Sequence, residues 1–413
     1  MSNEMTTSGG SLHPGRPVIW PTGKKTPTPI TPQPSQVKEA ISSKEAQQAA
    51  QTAKEAAQAQ VQAKQQVTKE VTVKDLKELL VKQQVEANDF NVKLATLMLR
   101  YGMEVSKETF AKVINMLSGT DKSVSSQEAA ILLLMKGIES PEAAKTLATF
   151  LRENPQLANQ MLNLSANMAD LKEALNMSRG VLPNEILEAL SALLAQFDEN
   201  ITGLPKKFRF SGDNTTGRRE LINDMRALKA LLTSVQESAS LPDTAEGQIV
   251  QSNMMSVMES LDKAIANVLS QSFLSKQTGN TEVNYSYYQI PNSMAKTPQT
   301  IEIVIKRDEK SGGKSIDPKD TQIFMSLDTE NLGKIAISMI IKNKQVEFIF
   351  NTQRNDAKEL IAKGSKDLAS ALSEQDFEAT KVQVNVNPSM CAIKPFLIPF
   401  LGVEGLMCVD TSI

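Results

Sequence analysis

Apolar residues are sparse before Val73 and recur after it with a helical period. Val73, Leu76, Leu79 and Leu80 open the pattern, at a spacing that gathers side chains on one helix face. Ser125 and Glu128 have capping-box spacing ahead of Ile131, Leu132, Leu133 and Leu134. Ser140 followed by Pro141 starts another helix, because Pro is tolerated in a first turn, and Pro155 predicts its end at Asn154. Further helices are expected at about 156–178, 184–200, 217–238 and 245–274, with the widest break between Gly203 and Gly217. Met254, Met255 and Met258 could line an adaptable groove, but their spacing is that of a core face, which is preferred.

Beyond Leu274 the period falls to two. Residues 275–298, which hold the aromatic cluster Tyr285, Tyr287 and Tyr288, are read as a linker. Alternation then marks strands at Ile301, Ile303 and Ile305, at Ile323, Met325 and Leu327, at Ile335, Ile337 and Met339, and at Val346, Phe348 and Phe350. Lys342, Asn343 and Lys344 join the last two as a hairpin. Ala357, Leu360, Ile361, Leu368 and Leu372 predict a helix from Asp356 to Ser373, with Gly364 its weak point, and Val382, Val384 and Val386 a last strand. The fold class is an α+β C-terminal domain, mostly antiparallel sheet with one main helix, preceded by an all-α region and a disordered N-terminal tail. The expected divisions are 1–72, 73–274, 275–298, 299–387 and a C-terminal tail of 388–413.

Composition refines this picture. Residues 1–37 are rich in Pro, Gly, Thr and Ser and are expected to be disordered, while 37–70, rich in Ala, Gln, Lys and Glu, are read as a transiently helical linker. Aromatic residues are only 4% of the chain, so packing should be aliphatic and the helical region only marginally stable. The net charge of −2 gives no basic domain for nucleic acid; Lys206, Lys207, Arg209, Arg218 and Arg219 are read as solvated surface beside Glu220 and Asp224. Cys391 and Cys408 are read as two small buried or half-exposed thiols, with a bridge between them left open. No apolar stretch approaches the ~18–20 residues that span a bilayer, and the start is not expected to be a cleavable signal peptide.

Candidate chemistry is thin. The only histidine, His13, lies in the Pro-rich tail, so neither a nucleophile–His arrangement nor His-ligated zinc is expected in the folded parts. Gly312, Gly313, Lys314 and Ser315 look like the end of a phosphate loop, but Asp308 stands where its first glycine belongs. Asp328 and Glu330 near Gly333 suggest a calcium loop, but Leu332 occupies a position that needs an oxygen ligand. A non-enzyme without cofactor or metal is therefore expected, acting by binding other proteins.

The run from Ile323 through Leu327, Glu330, Leu332 and Gly333 to Ile340 resembles the signature of the C-terminal domain of flagellar hook-length control proteins. That family shows an apolar strand, a Leu-x-Pro-Glu-x-Leu-Gly-like connection and an alternating strand; Thr329 departs where Pro is common. Tyr287, Tyr288, Gln289, Ile290 and Pro291 resemble the lead-in of some Gram-positive members. The resemblance implies passage from the cytoplasm through the flagellar type III export apparatus, with the N-terminal part reporting hook length. It implies as partners the cytoplasmic domain of the export-gate switch protein and the hook and hook-cap subunits, without membrane insertion, for a monomeric chain. An arm of nearly 300 residues, at ~3.3 Å per extended residue, reaches on the order of 1,000 Å. Within the domain, Leu327, Leu332, Ile337 and Phe348 are read as core, whereas Glu330, Asn331 and Gly333 are the expected partner-binding residues, because loops carry function. The alternatives are a cytoplasmic scaffold or adaptor, an enzyme with an unrecognised carboxylate site, and membrane attachment through residues 395–401.

Overall fold

The computed structural model describes residues 72–177, 215–238, 244–277, 284–292, 299–306 and 319–397, with scattered helical positions between 184 and 195. All of them lie in one compact unit, Glu70–Ile413. The expectations for the Pro-rich and Ala/Gln-rich segments, Lys206, Lys207, Arg209, residues 312–315 and Cys408 fall outside the described residues.

Six helices come first: α1 (Val73–Lys82), α2 (Asp89–Arg100), α3 (Lys107–Met116), α4 (Val124–Met135), α5 (Pro141–Glu153) and α6 (Leu157–Met177). Side chains accept a first-turn N–H at Thr72, Asn88, Ser106, Ser123 and Ser140, which satisfies donors a helix cannot use internally. The α4 cap is therefore Ser123, and Ser125 lies inside the helix. Helix α5 begins on Pro141 and ends at Asn154 in the left-handed conformation (φ 44°), as the flanking prolines predict. Helices α7 (Thr215–Ser238) and α8 (Ala245–Ser275) follow among the described residues.

The sheet has the order β1-β2-β3-β4-β5-β6. Strands β1 (Tyr285–Pro291), β2 (Thr300–Lys306), β3 (Asp320–Thr329), β4 (Gly333–Lys342) and β5 (Gln345–Thr352) run as an antiparallel meander. Helix α9 (Asn355–Ser373) then crosses over to β6 (Glu378–Val386), which pairs parallel to β5. This is the expected α+β class. The β4–β5 hairpin closes on Asn343 and Lys344, both with positive φ (56° and 109°), as a two-residue turn requires. A short 3₁₀ turn (Pro388–Cys391) and a helical turn, α10 (Lys394–Leu397), follow.

Two differences from expectation have one cause. Residues 275–298, read as a linker, contain β1, and the helical region is continuous with the sheet. One core joins Leu80, Met98, Ile131 and Phe150 of the helices to Tyr285, Tyr287, Val304, Phe324 and Ala336 of the sheet. Tyr287 meets Phe150 edge-on, with ring centroids 5.9 Å apart. Tyr288, Ile303 and Ile305 pack on the opposite face with Ile323 and Met325. Both faces of β1–β3 are thus apolar, and a pattern read for one buried face misses the second. A further core, with Met254 and Leu261 of α8 among its members, holds α6, α7 and α8 together. Met254 is buried, Met258 half-buried and Met255 49% exposed, so the core-face reading holds for two of the three methionines.

Polar bonds stitch the same junction. The first N–H groups of α6 donate to the sheet: Leu157 to Gln289 Oε1 (3.0 Å) and Ala158 to Thr300 Oγ1 (3.0 Å). Arg218, expected on a solvated surface, is buried because its guanidinium donates to Gln271 O (3.2 Å), Ser275 Oγ (2.9 Å) and Tyr287 O. It also lies 4.4 Å from the Tyr288 ring centroid. At the C-terminal end, Phe396 stacks on Phe324, and Tyr285 Oη donates to Leu397 O (2.8 Å). Cys391 is a buried free thiol whose pKa burial raises.

Candidate functional site

The strand ladder brings Glu330, Asn331 and Gly333 into one tight connection. Strands β3 and β4 stay paired down to Thr329 opposite Gly333, so only residues 330–332 remain to reverse the chain. Thr329, where the family pattern prefers Pro, does local work through its hydroxyl. Its Oγ1 accepts from Leu332 N–H (3.0 Å) and donates to Gly333 O (3.0 Å). Gly333 has φ 71°, a left-handed conformation that a side chain disfavours. A Cβ there would lie 3.5 Å from Gln353 Oε1, so backbone conformation rather than space demands glycine.

The start of α9 supports the turn from one side. Arg354 Nη1 donates to Asn331 O (3.3 Å), and Gln353 Oε1 accepts from Lys334 N–H (3.4 Å). Arg354 is held in turn by a two-pronged pair with Asp356, whose carboxyl it keeps below its ordinary pKa. Asp328 faces Lys334 across the ladder, so the first carboxylate of the supposed calcium loop has a basic cross-strand neighbour. Glu330 and Asn331 are exposed. The result is a hydrogen-bonded, solvent-facing turn that carries one carboxylate and one amide side chain.

Of the residues read as core, Phe348 is buried, whereas Leu327, Leu332 and Ile337 are only half-buried. Arg354 and Asp356 escaped the sequence reading, because they are remote from the turn in the chain and only the β5–α9 junction brings them near it. The one available signal was an acidic residue in a helix's first turn.

A second charged cluster lies at the helix–sheet junction. Tyr287 Oη donates to Glu302 Oε1 (2.8 Å) and accepts from Gln289 Nε2 (2.9 Å). Burial raises the pKa of both Tyr287 and Glu302. A polar groove of about 330 Å³ runs between α6 and α8, lined by Asn163, Asn167, Glu259, Ser260 and Lys263 among others. Among the described residues no helix is long and apolar enough to cross a membrane, and no three His, Cys, Asp or Glu gather as for a metal.

Meander, crossover helix and hydrogen-bonded polar turn together define an α+β sheet domain fused to a helical body. Residues 309–390 match the family model described as flagellar hook-length control protein FliK. The segment from β3 to β6 is thus similar to the C-terminal domain of flagellar hook-length control proteins, which supports a role in flagellar hook-length control. No curated protein and no solved structure matches the chain. The matched segment begins just ahead of β3, so β1 and β2 extend the sheet beyond it.

Proposed function

We propose that this chain limits hook growth and then switches the export apparatus from rod and hook subunits to filament subunits. In this reading the N-terminal part leaves through the flagellar type III apparatus as a monomeric, extended chain and passes the hook and hook-cap subunits. The C-terminal domain, acting by binding rather than by catalysis, engages the cytoplasmic domain of the export-gate switch protein. The observation that carries the reading is the family match over β3 to β6, with Glu330 and Asn331 exposed on the β3–β4 turn. Aliphatic packing with few aromatics supports unfolding for passage through a narrow channel.

Deletion of the gene, followed by electron microscopy of hooks and assay of secreted subunits, tests the proposal. Overlong hooks without filaments are expected, and normal flagella would defeat it. Fractionation separates the adaptor alternative, since a cytoplasmic scaffold stays in the cell while an exported ruler appears in the medium. Glu330→Lys in the full chain is expected to delay the switch and lengthen hooks without changing the amount of folded protein.

A further inference from the structure

The two edges of the sheet are treated differently. In the middle of β1, outward backbone groups are capped by helix side chains: Tyr287 N–H donates to Ser275 Oγ (2.9 Å), and Gln289 N–H to Gln271 Oε1 (3.0 Å). Tyr287 O accepts from Ser275 Oγ (3.1 Å) and from Arg218. Such capping removes an edge's capacity to recruit another strand.

Among the described residues strand β6 has no such cover. Asn387 N–H donates to Thr352 O (2.9 Å), which fixes the alternation: odd-numbered groups at this end point to β5, and those of Val382, Val384 and Val386 point away from it. Among the described residues nothing hydrogen-bonds these outward groups. No proline or bulge interrupts residues 381–386, and the only charged side chain there is Lys381, exposed and in no ion pair among the described residues. The side chains of Val382 and Val384 are half-buried and Val386 is 38% exposed, on the face that also carries Phe348 and Phe350. The opposite face presents Lys381, Gln383 and Asn385.

We infer that β6 is the docking edge for the partner: an extended segment of the export-gate domain adds as a seventh strand. This rests on the export-gate reading above. The edge specifies the segment's chemistry. Aliphatic residues at alternate positions extend the valine row, polar residues fill the other face, and an acidic residue lies opposite Lys381.

The test uses the purified full chain, the purified cytoplasmic domain of the export-gate switch protein, and residue-resolved amide hydrogen exchange. The complex is expected to slow exchange at Val382, Val384 and Val386, whose amides are outward, and to leave Gln383 and Asn385 unchanged. Val384→Pro removes a donor that the β5–β6 ladder does not use, so the fold should survive. The same change should weaken the complex about tenfold or more, the effect of losing an intermolecular hydrogen bond and leaving its acceptor unpaired. Lys381→Glu, on an exposed position, should weaken it as well. If the complex forms with unchanged exchange at the three valines and Val384→Pro binds like the parent, the inference is overturned while the export-gate reading stands. If no complex forms, both fall. If the valines are protected merely by concentrating the chain alone, the edge pairs copies of itself and the inference fails.

Discussion

Gly333 and Glu302 show how single residues set the terms here. At Gly333 the turn needs φ 71°, so Gly333→Ala is expected to cost about 1–2 kcal/mol through left-handed strain. Urea denaturation measures that loss, and an unchanged midpoint would show that the turn relaxes. Glu302 works through pH. Burial raises its carboxyl above the ordinary value of 4.5, so around and above that pH the folded chain retains a proton that the unfolded chain gives up. Its contribution is full below that pH and is lost as pH rises through the folded value. Glu302→Gln keeps an acceptor for Tyr287 and removes the titration. The variant's stability relative to the parent should therefore rise with pH upward from 4.5, as read from denaturation curves at several pH values.

At the scale of elements, caps and edges explain what the residues accomplish. Ser140 accepts from Ala143 N–H (3.2 Å) and turns the chain into α5, which carries Phe150 against the sheet. Ser140→Ala is expected to lower stability by about 1 kcal/mol, with Ser140→Asn restoring it; thermal melts of the three proteins decide. Helix α6 shows a different solution, since its first N–H groups are satisfied by Gln289 and Thr300 rather than by a local cap. Helix α9 buries only Ala357 among its residues and leaves Leu360 56% exposed. Among the described residues, helix α9 and β6 leave most of their side chains exposed or half-buried.

At the scale of the molecule, the domain and the helical body are one structure. Phe324 and Ala336 lie in the matched segment, yet they belong to the core that Leu80, Met98 and Ile131 build. A fragment of residues 309–390 also leaves the outer edge of β3 without β2. It is expected to be less stable than residues 72–397 by at least ~3 kcal/mol, the scale of stripping core side chains of their neighbours. Equal urea midpoints for the two would show that the body contributes nothing.

Local chemistry determined much of this protein from sequence alone. Helical period, Ser140–Pro141 and Asn154 placed α5 because caps and prolines act within a turn. Period-two alternation placed β2 to β6, and the motif around Gly333 placed the candidate turn, because conformation there depends on adjacent residues. The tertiary structure decided the rest, because it depends on residues remote in the chain. Tyr287 became a strand residue only when Phe150, Ser275 and Gln271 enclosed it, and Arg218 left the surface only because Gln271, Ser275 and Tyr287 supplied acceptors. Arg354 reached Asn331 only through the turn from β5 into α9. The contrast between a capped β1 and a β6 edge that is uncapped among the described residues is likewise invisible in either strand's own sequence, since an edge is defined by what packs beside it.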